Sequence, residues 1–250
     1  MKKVVTITTD FGDQFATSQL RAVMATLGFE GIVIENHSVT FPSIIEGSFE
    51  IMIVSRYSPD DSVHVGVIDP GVGSVRRGVV IKTKRSWFVG PDNGLFWPVA
   101  QKEGIEKVWK LEENKVSDEV SNTFHGRDVF IKAGVFLAQG QKPEDFGSVE
   151  IEASSLVTSE FKEGQIVHVD NYGNMKINWT QPMKIGDRLR VKSRKGAFEV
   201  PVVKTFSQVS PNMPVALLGS SGTLELAVNL GRGDKFYGAH LEEVLEIEVA

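Results

Sequence analysis

The chain has 250 residues, of which 41% are hydrophobic and 24% charged, which is typical of a globular protein with a sizeable core and excludes disordered and collagen-like chains. The formal net charge is -5, so no basic surface that would bind nucleic acid or an anionic membrane is expected. The absence of cysteine excludes disulfide bonds, a thiolate nucleophile and metal sites with cysteine ligands.

The chain begins with an alternation of strand-like and helix-like segments. Val4–Thr9 consists of β-branched residues and predicts a buried strand that ends at Asp10. Apolar residues at helical spacing predict a helix over residues 14–27, and residues 32–35 predict a second strand. The N-terminus lacks the long apolar run of a signal peptide, and no stretch of about 18 apolar residues follows, so a cytoplasmic protein is expected.

The same alternation continues towards the middle of the chain. Ser43, followed three residues later by a glutamate, has the pattern of a helix N-terminus, and this helix is expected to run to Tyr57. Residues 63–68 predict a third strand that ends at Asp69. Further strands are predicted at 79–82 and 87–89, and a further helix at 128–139.

This order of elements predicts an α/β domain with a largely parallel central sheet, because helical connections between strands cover the faces of such sheets. Ligands bind beyond the carboxyl ends of the strands in open sheets of this kind. Asp10 and Asp69 both follow predicted strands directly, so both are expected at a ligand site.

The character of the chain changes after residue 143. Short strand-like runs separated by Gly, Pro and Asn predict a smaller, barrel-like all-β domain. We place the boundary in a polar stretch, which gives domains of residues 1–155 and 156–250. The predicted strands of the second domain are 165–169, 188–191, 198–203, 215–218 and 224–228, with the acidic end, 242–250, as a candidate last strand.

Two motifs of the first domain carry candidate catalytic residues. Asp69 opens the sequence DPGVGS, which is either a tight surface turn or a strand-end carboxylate beside a close backbone approach. Arg76 and Arg77 follow, and either could hold that carboxylate ionised. His125 precedes a helix and could be a general base, a group that orients water or only a helix-entry residue.

Other polar turns have an ordinary structural explanation as well. The sequence PDNGL at 91–95 is explained by turn formation alone. DNYGN at 170–174 and GSSG at 219–222 are compatible with β-hairpins, but their amides, hydroxyls and exposed backbone also suit the edge of an uncharged purine. No metal-binding signature and no phosphate-binding loop of the GxxxxGK[ST] or GxGxxG type is present.

Together, six blocks resemble the S-adenosyl-L-methionine (SAM) hydroxide adenosyltransferase family, also called SAM hydrolases. The blocks span nearly the whole chain in order, and the family is related to fluorinases and chlorinases. They are TTDFGD at 8–13, HVGVIDPGVGSVRR at 64–77, FVGPDNGLF at 88–96, TFHGRDVF at 123–130, DNYGN at 170–174 and GSSGTLELAVN at 219–229.

The resemblance implies that SAM is hydrolysed to adenosine and L-methionine by attack of water or hydroxide at the ribose C5′. Asp69, Arg76 and His125 occupy the positions of the family's catalytic set. Asp69 and His125 are expected to polarise the water, and Arg76 to fix Asp69 and stabilise developing hydroxide character. The sulfonium leaves as a neutral group, so neither metal nor cofactor is expected, SAM itself being the substrate.

The resemblance also implies the binding residues and the assembly. Asp10, with Phe11 beside it, matches the acid that binds the ribose hydroxyls. The adenine- and methionine-binding positions fall on Asn174, Ser220, Glu225 and Val228, with Asp170 and Tyr172 flanking the ligand. Family members are homotrimers whose ligand lies between the first domain of one subunit and the second domain of its neighbour.

One departure and two rival functions stand beside this expectation. Residues 35–38, Glu-Asn-His-Ser, stand where the family commonly has Asp-x-Thr-His, which affects that loop and not the reaction. The first rival is a chlorinase-like halogenase, although fluorinase relatives lack the Asp-Arg-His set. The second is a non-catalytic adenosine or SAM sensor, and a purely structural domain would bind no ligand at all.

Overall fold

The computed structural model describes residues 2–12 and 14–250, so Asp13, the last residue of the TTDFGD block, lies outside the described residues. The chain divides into two compact units, Met1–Glu160 and Phe161–Ala250. No helix in the described part of the chain is long and apolar enough to cross a membrane.

The first unit contains a seven-stranded sheet and five α-helices among its described residues. Its strands are β1 (Val4–Thr9), β2 (Ile32–Asn36), β3 (Val63–Val67), β4 (Gly78–Thr83), β5 (Trp87–Pro91), β6 (Ile105–Leu111) and β7 (Val149–Ile151). Its helices are α1 (Gln14–Thr26), α2 (Ile44–Tyr57), α3 (Trp97–Glu103), α4 (Glu113–Val116) and α5 (Ile131–Ala138). A π-helical turn, Gly126–Phe130, leads directly into α5.

The sheet is mixed, with the strand order β2-β1-β3-β5-β4-β6-β7. The pairs β2-β1, β1-β3 and β3-β5 are parallel, whereas β5-β4, β4-β6 and β6-β7 are antiparallel. The prediction of a largely parallel sheet is therefore wrong for half of the sheet. The reason is that β4 and β5 form a tight hairpin, which reverses the strand direction without a crossover helix.

Two apolar clusters cover the two faces of this sheet. Leu20 of α1 and Val135 of α5 belong to one cluster, and Ile51 of α2 and Val99 of α3 to the other. Along β4, Val80 faces the first cluster, whereas its neighbours face the second, as the alternation of side chains along a strand requires. Helices on both faces leave the strand ends as the place for a ligand.

The second unit is built mainly from strands. They are β8 (Ile166–Val169), β9 (Met175–Ile177), β10 (Arg188–Ser193), β11 (Gly196–Pro201), β12 (Pro214–Leu218), β13 (Leu224–Val228) and β14 (Glu246–Val249), with one short helix, α6 (Gly233–Tyr237). They form a four-stranded sheet, β12-β13-β9-β8, and a three-stranded sheet, β11-β10-β14. Isolated bridges join Val202 to Ala216 and Gln165 to Val244.

The predicted strands and long helices are confirmed, with bounds that shift by a few residues. The Ser43 hydroxyl accepts the N–H of Glu46 at 3.1 Å and so caps α2 as expected. The helix predicted at 128–139 begins earlier, as the π-helical turn. The elements that were not predicted are β6, β7, β9, α3, α4 and α6.

Candidate active site

A cavity of about 280 Å³ opens at the carboxyl ends of β1 and β3 in the first unit. Asp10 follows β1 and Asp69 lies just beyond β3, and the two strands are parallel neighbours, so both carboxylates reach the same edge. His125 lines this cavity as well, and much of the remaining wall is aromatic, from Phe11, Phe41 and Phe124.

The turn after Asp69 brings two distant segments together. The backbone N–H of Val72 donates to the Asp69 carbonyl at 3.2 Å, and that of Ser74 to the Gly71 carbonyl at 3.1 Å. Gly73 has φ +73°, and a Cβ there would collide with the carbonyl oxygen of Asn122. Only glycine therefore lets this turn approach the segment that leads to the predicted histidine.

The Asp69 carboxylate is clamped by Arg76. The Arg76 Nε donates to Asp69 Oδ1 at 3.0 Å and to Oδ2 at 2.9 Å, and Nη2 donates to Oδ2 at 2.7 Å. The two side chains are only 4% and 10% exposed. The guanidinium carbon also lies 5.2 Å from the centre of the Phe130 ring. This bidentate geometry fixes the orientation of the carboxylate.

His125 lies on the other side of the same guanidinium. Its Nδ1 is 2.7 Å from Arg76 Nη2. Because a guanidinium has only donors, Nδ1 accepts this bond, and the hydrogen of the neutral ring is then on Nε2. The loop before the histidine is closed by Asp128, whose carboxylate accepts the N–H of Ser121 at 2.9 Å. A π-helical turn begins directly after His125, a feature that often marks functional sites.

Glu113 completes this cluster and was missed by the sequence analysis. Its Oε1 accepts from Arg76 Nη1 at 2.8 Å, and its Oε2 lies 3.3 Å from His125 Nδ1. The second contact would need a hydrogen on Nδ1, but the shorter bond from Arg76 determines the tautomer. No sequence motif contains Glu113. It begins α4, two residues after the end of β6, and β6 was not predicted.

Arg76, behind the cavity wall, and Asp10, which lines the cavity, have shifted pKa values. Burial alone would lower the pKa of Arg76, but hydrogen bonds and charge from Asp69 and Glu113 outweigh it, so the pKa is raised. Burial raises the pKa of Asp10, and the charge of Asp69 adds to this effect against an opposing backbone hydrogen bond. Arg76 is thus a permanent cation, and Asp10 protonates more readily than an ordinary aspartate.

The two adjacent arginines have different partners. Arg77 Nε donates to Asp92 Oδ2 at 2.6 Å, and its Nη2 contacts Ser155. The Asp92 side chain in turn accepts the N–H of Val157 at 2.9 Å. Arg77 therefore ties the PDNGL turn to the end of the first unit, whereas Arg76 alone of the pair contacts Asp69.

The loop at 35–38 supports the segment that carries Asp10 and Phe11. His37 Nδ1 is 2.9 Å from Thr9 Oγ1, and the His37 carbonyl accepts the N–H of Gly12 at 3.0 Å. Phe11 then packs edge-on against Phe124, with ring centres 5.4 Å apart. His37 therefore supports the segment that carries Asp10 and Phe11.

The second unit has an open cavity of about 570 Å³. Tyr172, Asn174 and Val228, three of the predicted binding residues, line it. Asp170 does not line it but shapes the turn: its Oδ1 accepts the N–H groups of Tyr172 and Asn174, both at 2.9 Å, and its Oδ2 accepts from the Asn174 amide at 3.0 Å. Asp170 therefore positions the turn that carries the other two residues.

Ser220 and Glu225 do not line that cavity. Ser220 is exposed in the turn between β12 and β13. Glu225 is buried on β13 and is paired with Lys176 on β9. Of the predicted binding residues in this unit, the structure brings Tyr172, Asn174 and Val228 together at the cavity.

Comparisons with known proteins cover both units. The family model of the SAM hydroxide adenosyltransferase N-terminal domain matches residues 5–147, and that of the C-terminal domain matches residues 164–246. A protein of Methanocaldococcus jannaschii named (R)-S-adenosyl-L-methionine hydrolase is 30% identical over 98% of this chain and 95% of its own length. One of the same name from Thermus thermophilus is 34% identical over 81% of this chain and 82% of its own.

The chain also resembles a relative with a different activity in its name and a solved structure of an uncharacterised protein. A fluorinase of an Actinoplanes species is 25% identical over 79% of this chain and 80% of its own. The crystal structure of an uncharacterised conserved protein from Thermotoga maritima matches with a TM-score of 0.89 at 27% identity, over 98% of this chain and 100% of that one. Because two family models together span most of the sequence, the chain belongs to the SAM hydroxide adenosyltransferase family.

Proposed function

We propose that this protein hydrolyses S-adenosyl-L-methionine at the ribose C5′ to adenosine and L-methionine. The observation that carries the proposal is the cluster of Asp69, Arg76 and His125, which two distant segments of the chain bring together at one cavity. The names of the M. jannaschii and T. thermophilus relatives support the same substrate and reaction.

The cluster can bind and orient one water molecule. Asp69 Oδ1, which Arg76 contacts only through Nε, keeps a lone pair that can accept a hydrogen bond from the water. The Nε2–H of His125 can donate to the water oxygen and stabilise hydroxide character as it develops. Arg76 cannot act as a base, so its part is to hold both neighbours in this arrangement.

The reaction then needs little further chemistry from the protein. The water oxygen forms a bond to C5′ while the C5′–S bond breaks, and the bonding electron pair goes to sulfur. Sulfur leaves as the neutral thioether of methionine, so no general acid is required. One proton of the water passes to Asp69, which balances the step. Alignment and exclusion of bulk water therefore supply the main rate enhancement.

Asp10 is proposed to bind the ribose hydroxyls, with Phe11 forming the adjacent wall. A carboxylate can accept both hydroxyl hydrogens of a vicinal diol, but only in the ionised form. Because burial raises the pKa of Asp10, substrate binding is expected to weaken on acidification at a higher pH than an ordinary aspartate would cause. The aromatic walls suit a ligand with a flat, partly apolar nucleoside.

The second unit is proposed to supply the adenine and methionine contacts. Asn174 and Tyr172 line its open cavity beside Val228, whose backbone is the expected contact. From the family resemblance, we propose a homotrimer in which the ligand lies between the first domain of one subunit and the second domain of its neighbour. Ser220 and Glu225 are proposed to contact the same ligand.

Several finer expectations stay predictions. They are the domain limits 1–155 and 156–250, a barrel-like closure of the second domain, a cytoplasmic location, and a reaction without metal or cofactor.

The proposed homotrimer is tested by a measurement of the molecular mass in solution. A trimer mass supports the shared site, and a monomer that is fully active would overturn it.

A halogenase is the second candidate, because fluorinases are among the relatives. It would attack the same carbon with halide in place of water. The charged Asp69 and the His125 donor favour a water site over a small halide pocket. Formation of 5′-chloro-5′-deoxyadenosine from SAM and chloride would support the halogenase and contradict hydrolysis.

The experiment for the main proposal is to measure adenosine and methionine release from SAM by the wild type, Asp69→Asn and His125→Gln. Hydrolysis predicts equal amounts of both products from the wild type and a large loss in each variant. A wild type that binds adenosine, raising the unfolding temperature, but releases neither product would instead be a sensor.

A further inference from the structure

Glu113 contacts two members of the catalytic cluster and has no role in the family resemblance described above. Its carboxylate reaches Arg76 Nη1 at 2.8 Å through one oxygen and lies 3.3 Å from His125 Nδ1 through the other. It is a quarter exposed, with 26% of its side chain accessible, whereas Asp69 is almost fully buried. It is placed at the rim of the buried cluster and is not among the residues that line the cavity.

The hydrogen bonds of the guanidinium show what Glu113 contributes. The Nε edge and one Nη2–H of Arg76 are directed to Asp69, and the other Nη2–H to His125. Nη1 is held by Glu113 alone among the described contacts. The planar group is therefore fixed at opposite ends by two carboxylates, with the Phe130 ring against its face.

This orientation determines the tautomer of His125. A small rotation of the guanidinium would move Nη2 away from His125 Nδ1, and the ring could then carry its hydrogen on either nitrogen. A hydrogen on Nδ1 could then be donated to solvent, and Nε2 would lose its hydrogen. The ring would no longer present the hydrogen that the proposed mechanism directs at the water.

We propose that Glu113 is a positioning residue that anchors Arg76 from the side opposite Asp69 and thereby keeps His125 in the Nε2–H tautomer. The inference rests on the proposed SAM hydrolysis for its kinetic consequence, but the tautomer itself can be measured without substrate. Glu113 touches neither the reacting water nor the substrate in this account. Its effect is therefore expected on kcat and not on KM.

The test uses the full-length protein with Glu113→Ala and Glu113→Gln. Alanine removes the acceptor for Nη1, so kcat is expected to fall about 10- to 100-fold with KM changed less than about 3-fold. Glutamine keeps an oxygen that can accept from Nη1, so it is expected to restore part of the lost rate. Thermal unfolding of each variant establishes that it is folded before the rates are compared.

Glu112→Ala is the matched control. Glu112 is the adjacent residue and has the same charge, but its carboxylate pairs with Lys110 Nζ at 2.9 Å, away from the cavity. Its removal is expected to leave kcat, KM and the His125 tautomer unchanged. A loss of activity in Glu112→Ala equal to that in Glu113→Ala would show a general charge effect and would overturn the proposal.

The second measurement is the ¹⁵N NMR signature of the His125 ring in the ligand-free protein. The wild type is expected to show an unprotonated Nδ1, and Glu113→Ala a mixture of tautomers. An unchanged signature in a folded Glu113→Ala overturns the inference even if activity falls. If the wild type does not hydrolyse SAM, the proposed function fails, while the tautomer shift still decides the role of Glu113.

Discussion

The cavities of the two units differ in how their polar groups are held. In the first unit, Asp69, Arg76 and His125 bind one another, and the Asp69 and Arg76 side chains are 4% and 10% exposed. In the second unit, Tyr172 is 77% exposed and projects from a turn. The first arrangement is fixed before a ligand arrives, whereas the exposed Tyr172 side chain of the second cavity is one that a ligand can order on binding.

This difference follows the different demands of chemistry and binding. A reacting water must be held within a fraction of an ångström, so the groups that polarise it need fixed partners. Recognition of a nucleoside tolerates side chains that settle onto the ligand, at a cost in ordering entropy. Substitutions in the cluster of Asp69, Arg76 and His125 should therefore affect kcat, and those in the second cavity mainly KM.

The largest effect is expected from Arg76→Ala. It releases Asp69, frees the His125 ring and leaves a buried carboxylate without its partner, so kcat should fall by about 10² to 10⁴-fold. Arg76→Lys is the companion variant, since lysine keeps the charge but cannot make the bidentate contact, and most of the loss should remain. Near-normal turnover in Arg76→Lys would show that charge alone suffices and that the fixed geometry is unnecessary.

A smaller effect, on binding, is expected from Asp10→Asn. Asparagine cannot accept from both ribose hydroxyls, so KM should rise about 10- to 100-fold with a lesser change in kcat. The pH dependence of KM checks the same point. Because the pKa of Asp10 is raised, wild-type KM should rise on acidification. In the variant, this rise of KM at low pH should be absent. If KM of the variant keeps the wild-type pH profile, Asp10 does not bind the ribose.

Asp10→Asn should weaken substrate binding but raise the stability of the ligand-free protein. A carboxyl group with a raised pKa in the folded state contributes stability below its unfolded pKa, and this contribution is lost as pH rises through the folded pKa. Ionised Asp10 therefore destabilises the ligand-free protein at neutral pH. Asp10→Asn is expected to raise the unfolding temperature at pH 7 by about 1 to 2 °C and to change it little in acid.

Asn174→Ala probes the second cavity. The side chain lines the cavity and donates to Asp170 at 3.0 Å, so its loss should raise KM about 5- to 10-fold and leave kcat nearly unchanged. Asn178→Ala is the matched control in the same unit, because its amide donates to the carbonyls of Phe161 and Lys162. Asn178→Ala should lower the free energy of unfolding and leave KM at the wild-type value. Equal KM values in the two variants would contradict a binding role for Asn174.

The smallest effect on turnover is expected from Arg77→Ala, one residue from Arg76. Arg77 pairs with Asp92, whose side chain is only 4% exposed, so its removal should cost about 2 kcal/mol of unfolding free energy. Chemical denaturation measures this loss, and kcat and KM for SAM should stay at wild-type values. A large loss of kcat in Arg77→Ala would contradict the assignment of the catalytic role to Arg76 alone of the two arginines.

That distinction also shows where sequence reasoning ends. Adjacent residues in an extended chain point to opposite sides, so at most one of Arg76 and Arg77 is expected to face Asp69. The sequence cannot say which side faces the cavity without the position of the neighbouring strands. The family pattern favoured Arg76. In the structure, Arg76 donates hydrogen bonds to Asp69, and Arg77 donates to Asp92.

Local patterns were enough for the strands and helices that carry Asp10 and Asp69. The run of β-branched residues in β1 and the cap at Ser43 each determine structure over a few neighbouring residues. β6, by contrast, mixes charged and apolar residues without a clean alternation, and its pairing with β4 and β7 defines it. Because β6 was not predicted, Glu113 at its end could not be placed near Arg76.

The most direct test of the account is the origin of the new oxygen atom. Wild-type protein is incubated with SAM in ¹⁸O-labelled water containing chloride, and the nucleoside products are analysed by mass spectrometry. The account predicts adenosine that carries ¹⁸O at the 5′ position, together with unlabelled methionine and no chlorinated nucleoside. Unlabelled adenosine, or 5′-chloro-5′-deoxyadenosine as the product, would contradict attack by water held between Asp69 and His125.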